Sequence, residues 1–206
     1  MKKLSWKLLA VVVAVAGVVG GGFFYMTPST DAALSFPPPG TINPCAGFKE
    51  HPIASNIGPD FGTNTVGGIV VEVGSHFTLA DGRNGANLVV RDLRSAGEVE
   101  GIGKVEIGFD ASRQGRSTIV ANQRGLDYPA TQTMRFFPTV TIDGKEFRAL
   151  NAANLVNSAV TSTPPKEGTV YALTNDVALE DVGNPGKVAM TIKPGRAFTV
   201  TGHDFK

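Results

Sequence analysis

Cysteine is almost missing from this chain. Cys45 stands alone among 206 residues, so no internal disulfide can staple the fold. The one tryptophan, Trp6, falls in the N-terminal segment, which leaves the rest without any. The three histidines, His51, His76 and His203, are far apart and form neither H-x-H nor H-x-x-x-H, so their spacing offers no ready metal centre. Neither sign of charge prevails: the formal net charge is +1, and removing the first 33 residues turns it into −1. Without a basic block to neutralise phosphates, nucleic acid is excluded as the expected partner. There is no G-x-S-x-G elbow, and Gly101-Ile102-Gly103 lacks the third glycine and the helix of a dinucleotide loop, so no cofactor is expected. Asp81-Gly82-Arg83-Asn84-Gly85 lacks the later bidentate glutamate of a calcium loop and reads as a turn.

Glycine, at 25, and proline, at 13, are plentiful and suit many short strands and turns. The clearest of these is centred on Asp143-Gly144. A two-residue hairpin needs positive φ at its centre, which Asp-Gly supplies at low cost, so 140–142 should pair antiparallel with 145–147. Before the turn, Met134, Phe136, Pro138, Val140 and Ile142 alternate with Thr133, Arg135, Phe137, Thr139 and Thr141, the period of a strand with one dry face.

At the N-terminus Lys2, Lys3 and Lys7 precede an uncharged run that begins at Leu8 and ends at Met26, close to the roughly 20 residues that cross a bilayer as a helix. Residues 1–33 therefore read as a cleaved signal or as a membrane anchor through Leu8 to Met26. Gly20-Gly21-Gly22 and the small residues Thr30 and Ala32 suit the first; Trp6 and Phe23-Phe24-Tyr25 at the two edges suit the second. Both readings make the remainder extracytoplasmic: periplasmic, cell-surface or secreted. Residues 27–61 hold seven of the 13 prolines, including Pro37-Pro38-Pro39, so 34–65 reads as an extended linker or arm.

Residues 66–206 read as a single β-domain, since about 150 to 170 residues make one domain of ordinary size. Short β-rich runs at 67–73 and 76–79 are closed by Asp81-Gly82 and Asn84-Gly85, and 88–93 begins the next strand. From Glu98 to Asp110, Val99, Val105, Ile107 and Phe109 alternate with Glu98, Lys104, Glu106 and Asp110, with Gly101 and Gly103 marking a bend or a close approach. Further strands are expected at 117–122, 169–173, 177–182, 187–193 and 196–201, with Asn184-Pro185-Gly186 as a turn, while 151–163 fits either a short helix or a strand. About ten strands with no long helical period between them predict an all-β fold, an antiparallel β-sandwich or closed β-barrel.

The chemistry-bearing residues are few. Arg113, Arg116, Arg124 and Tyr128 surround one expected strand; if the arginines converge, they form a patch able to grip a carboxylate or sulfate with Tyr128 stacked beside it. The competing reading is a solvated hairpin end whose charges pair with Asp110 and Asp127. The sequence thus predicts a non-catalytic binding, surface or accessory domain whose partner is another protein or a small anion. The alternative is a small β-barrel enzyme of isomerase, cyclase or hydrolase type, with carboxylates and arginines in its mouth.

Overall fold

The computed structural model describes residues 35–56 and 60–204. The run from Leu8 to Met26 lies outside them, and among the described residues no helix is long and apolar enough to cross a membrane.

The described chain is all-β, with thirteen strands in one antiparallel sheet. Three are long: β1 (Ile42–Ser55), β2 (Phe61–Thr78) and β3 (Asn84–Val99). The others are β4 (Gly103–Phe109), β5 (Ser117–Ala121), β6 (Ala130–Phe136), β7 (Pro138–Ile142), β8 (Lys145–Ala149), β9 (Ala153–Val160), β10 (Val170–Leu173), β11 (Val177–Asp181), β12 (Asn184–Ile192) and β13 (Gly195–Gly202). The sheet is closed rather than sandwiched. β1, β2, β3, β5, β6, β9, β10 and β13 pair neighbour to neighbour into an eight-stranded barrel, sealed where Gly85 faces Val120 and Leu88 faces Ser117.

The remaining strands extend from the other halves of the same long strands. β3 pairs with β4 from Ser95 to Val99, the path runs through β7, β8, β11 and β12, and β12 returns to β1 at Ile53 to Ser55. A second closed circuit therefore shares β1, β2 and β3 with the first. Where the two part, the long strands come unusually close. Gly47, Gly67 and Ser95 stand side by side, and a Cβ on Gly67 would lie 2.0 Å from the carbonyl oxygen of Arg94. Glycine is needed at 47 and 67 because a side chain at either would run into the backbone of the neighbouring strand.

The Asp-Gly hairpin forms as expected, with Val140 opposite Phe147 and positive φ at Asp143 (46°) and Gly144 (82°). The alternation before it is continuous in burial, but Phe137 divides it into two strands. β6 belongs to the first barrel beside β5 and β9, and β7 to the second circuit beside β4 and β8. Residues 151–163 resolve to β9, a strand.

Several expectations are corrected. The arm expected over 34–65 is mostly sheet, because β1 pairs with β2 from Ile42 to Ile53. Its prolines are tolerated because Pro44 and Pro52 fall outside the stretches where β1 has a second neighbour, β13 or β12. The runs at 67–73 and 76–79 are one strand, β2, irregular between Val73 and His76. Of the bend or close approach expected at Gly101 and Gly103, the bend is a turn between β3 and β4 that contains Gly101 (φ 74°), while a close approach is found at Gly103 (φ 98°), where a Cβ would lie 2.3 Å from Asp143 Oδ1. Asn184-Pro185-Gly186 lies within β12 as an irregularity, and the turn stands one step earlier at Val182-Gly183.

The barrel interiors are packed with apolar side chains, among them Ile53, Leu93, Met134, Phe147, Tyr171, Leu179 and Phe198, all essentially inaccessible. Each large aliphatic side chain so buried stabilises the fold by roughly 1.5–3 kcal/mol. In β4 the expected division holds: Val105 and Ile107 are buried, Lys104 and Glu106 exposed.

Candidate functional site

The expected arginine patch does not assemble. Arg113 is a staple: its Nη1 donates to the carbonyl oxygen of Ala149 (2.6 Å), and its guanidinium lies 3.9 Å from the centre of the Phe137 ring. Arg116 is exposed just before β5. Arg124 is exposed beyond the far end of that strand, against Gly82 of the β2–β3 turn. Five residues of strand separate Arg116 from the segment bearing Arg124, about 17 Å at the usual rise per residue. Tyr128 is half-buried, and its O–H donates to Thr163 Oγ1 (2.7 Å). Burial pushes its phenol above the usual range. Asp110 accepts from the N–H and hydroxyl of Ser112, which hold its carboxyl below the usual range. Asp127 binds the N–H of Phe36 and the amide of Asn84. These groups fasten loops to the barrel.

The calcium-like loop is likewise a turn, with Asp81 accepting from the backbone N–H and the Nε of Arg83. Among the described residues no group of three His, Cys, Asp or Glu side chains could hold a metal ion. His76 and His203 each donate to a proline carbonyl, of Pro37 and Pro165, at 2.9 Å.

Two other places are shaped to receive something. The larger is a groove of about 510 Å³ on the outer face of β2, β3, β4 and β7, within the range of small-ligand sites. Pairing brings Ala96, Glu106 and Thr141 into one outward row and Gly108 and Thr139 into the next. The floor is low because Ala96 and Gly108 stand on outward positions where larger side chains would fill it, and Gly67 adds only its backbone to the lining. Val66, 61% exposed, forms an apolar wall, and the polar rim carries Arg94 beside Asp92 and Glu106 with its Lys104 partner at 2.5 Å. The groove can thus offer an apolar surface, hydroxyls and charges of both signs.

The smaller place is inside the first barrel, a gap of about 10 Å³ among Asn43, Cys45, Gln132, Met134, Tyr171 and Phe198. The Tyr171 O–H donates to Gln132 Oε1 (2.9 Å), and burial holds that phenol firmly protonated. Burial pushes the Cys45 thiol up to about 11, so it stays neutral. Asn43 is 4% exposed, and its Nδ2 has no hydrogen-bond partner.

Neither place was singled out in the sequence, although a signal for each existed. Carrying the alternation of Met134 and Phe136 back through β6 puts Gln132 on the dry face, a polar residue where the pattern calls for an apolar one. Ala96 and Gly108 are small residues on outward positions, where strands ordinarily carry bulk.

Neither a protein-family model nor a curated protein sequence matches the chain. Among solved structures it is similar to DynF from the dynemicin biosynthesis pathway of Micromonospora chersina, with a TM-score of 0.67 and 16% identity over 86% of this chain and 92% of that one. At that identity the likeness is one of fold, a β-barrel in both.

Proposed function

We propose that this protein is an extracytoplasmic, non-catalytic binding barrel that takes a partner protein on the outer groove of β2, β3, β4 and β7. The observation that carries the reading is the groove itself: about 510 Å³ of concave surface floored by Gly67, Ala96 and Gly108, on a barrel whose interior is filled with apolar side chains. A floor of small residues lets a partner's side chains approach the sheet closely, and the exposed Val66 offers an apolar anchor beside polar rims. The extracytoplasmic placement rests on the three lysines followed by the uncharged run from Leu8 to Met26. An anchor there would hold the barrel at a membrane surface.

A photo-crosslinking amino acid at position 66 of the full chain, expressed in its native cells, tests the reading. The expected result is a discrete protein adduct from the membrane or extracytoplasmic fraction, absent when the crosslinker replaces the exposed Glu167. Equal adducts at both positions, or none at 66, would overturn it. A small barrel enzyme is the second reading, favoured by the shared fold with DynF, a biosynthesis-pathway protein. It would place its chemistry in the first barrel, where Asn43, Cys45, Gln132 and Tyr171 are the buried polar groups.

A further inference from the structure

The first barrel is closed at one end by loops. The turn after β2, residues 122–129 after β5, residues 161–169 after β9 and the strap 35–41 before β1 all lie at that end. The strap is fastened along β2, with Gly40 N–H donating to Val73 O and Val73 N–H to Thr41 O. It inserts Phe36, 5% exposed, whose ring stands edge-on to Tyr128 (5.2 Å) and His76 (6.4 Å). Tyr128 is bonded in turn to Thr163, which lines the interior gap together with the buried Pro165. A phenyl ring of the chain itself thus occupies the mouth, beside an open concavity of about 280 Å³.

Behind this closure sits Asn43 with its unpartnered Nδ2. A buried amide donor left unpaired is costly, and a leucine of similar size would be cheaper, so the fold keeps a polar group where packing alone does not call for one. Gln132 Oε1, another side-chain acceptor lining the gap, receives the Tyr171 O–H and makes no bond with Asn43 Nδ2. No Lys, Arg or His lines the gap, so a carboxylate brought there would be buried without a counter-charge, whereas a neutral carbonyl could accept from the Asn43 amide without bringing a charge.

We infer that the interior of the first barrel binds a neutral, largely apolar molecule carrying one hydrogen-bond-accepting oxygen, a ketone or ester and not an acid. Asn43 Nδ2 is the donor to that oxygen, and the Phe36 strap is the door. The gap of about 10 Å³ admits only a group the size of a water molecule, so the body of the ligand takes the space vacated as Phe36 and the 161–169 loop swing out. This site is separate from the outer groove and stands or falls independently of it.

Cys45 makes the inference readable, because it is the single cysteine of the chain and lines the gap. Its modification by 4,4′-dithiodipyridine is followed by mass on the full chain, with 2-heptanone or heptanoate as the added probe. The ketone is expected to slow modification at least tenfold and heptanoate far less. Phe36→Ala should speed modification at least tenfold without the ketone and remain protected by it. Asn43→Leu should keep its fold and lose the ketone protection. Equal protection by ketone and acid, or no protection by either in the wild type, overturns the inference without reference to any variant. Undiminished protection in Asn43→Leu overturns the role of the amide.

Discussion

Asp143 and Lys104 are bonded to each other twice across the second circuit. The N–H of Lys104 donates to Asp143 Oδ1 and the N–H of Asp143 donates to the carbonyl oxygen of Lys104, both at 3.0 Å. The aspartate of the β7–β8 turn thereby fastens that turn to the start of β4, and Gly103 makes the approach possible, since a Cβ there would lie 2.3 Å from the same carboxylate. Asp143 tolerates its positive φ, and Gly144 beside it sits at 82° in open space. Gly144→Val should therefore cost more than about 1 kcal/mol through backbone strain alone. Denaturant melts of the two proteins check this, and coincident midpoints would remove the argument.

The division of β4 into a dry and a wet face gives a paired prediction. Ile107→Ala empties a packed site and should cost about 2–5 kcal/mol, while Glu106→Ala, on the exposed rim of the groove, should stay within about 0.5. The exposed ion pair of Glu106 with Lys104 does not alter this, because such pairs contribute little. Equal losses at the two positions would mean that the outer face is covered.

At the row where the two circuits part, Gly67→Ala should destabilise by about 1–3 kcal/mol or prevent folding, because the new methyl meets the backbone of Arg94 and Ser95, which cannot turn aside. Gly62→Ala on the same strand, with nothing within 4 Å, should be nearly silent. A well-folded Gly67→Ala protein would show that the strands are not pressed together as described.

Glu180 supplies the pH dependence. Its carboxylate accepts from the N–H of Gly186 (2.8 Å) and from Arg148 Nε (2.7 Å), and these bonds, the backbone one first, hold its pKa below the ordinary 4.5. A carboxyl whose folded pKa is depressed stabilises the fold above its unfolded pKa and loses that contribution as pH falls through the folded one. The melting temperature of the wild type should thus exceed that of Glu180→Gln at neutral pH, with the gap narrowing steadily below about pH 4.5. A gap independent of pH would assign the loss to packing.

Much of this fold was legible because its signals are local. Asp143-Gly144 dictates its turn whatever surrounds it, and Val105 and Ile107 alternate with Lys104 and Glu106 because β4 has one covered face. What escaped depends on distant pairing. Ile42–Ser55 reads as an arm from its prolines, and only the partners supplied by β2, β12 and β13 make it a strand. Met134 to Ile142 reads as one strand because burial keeps its period across Phe137, while the change of neighbours there leaves no mark in the sequence. Arg113, Arg116 and Arg124 are close in number, but β5 holds the ends of that stretch apart. Asn43 is an ordinary polar residue until β1 is known to place it inside a barrel.

The outer groove is where the partner protein would bind, and filling it is the most direct trial. Ala96 is exposed on the groove floor, so Ala96→Trp adds bulk without disturbing the core and should leave the melting temperature within error. Introduced into the chain that carries the photo-crosslinker at position 66, it should reduce the protein adduct at least tenfold. An adduct of undiminished yield, from a protein that folds normally, would contradict binding in the groove.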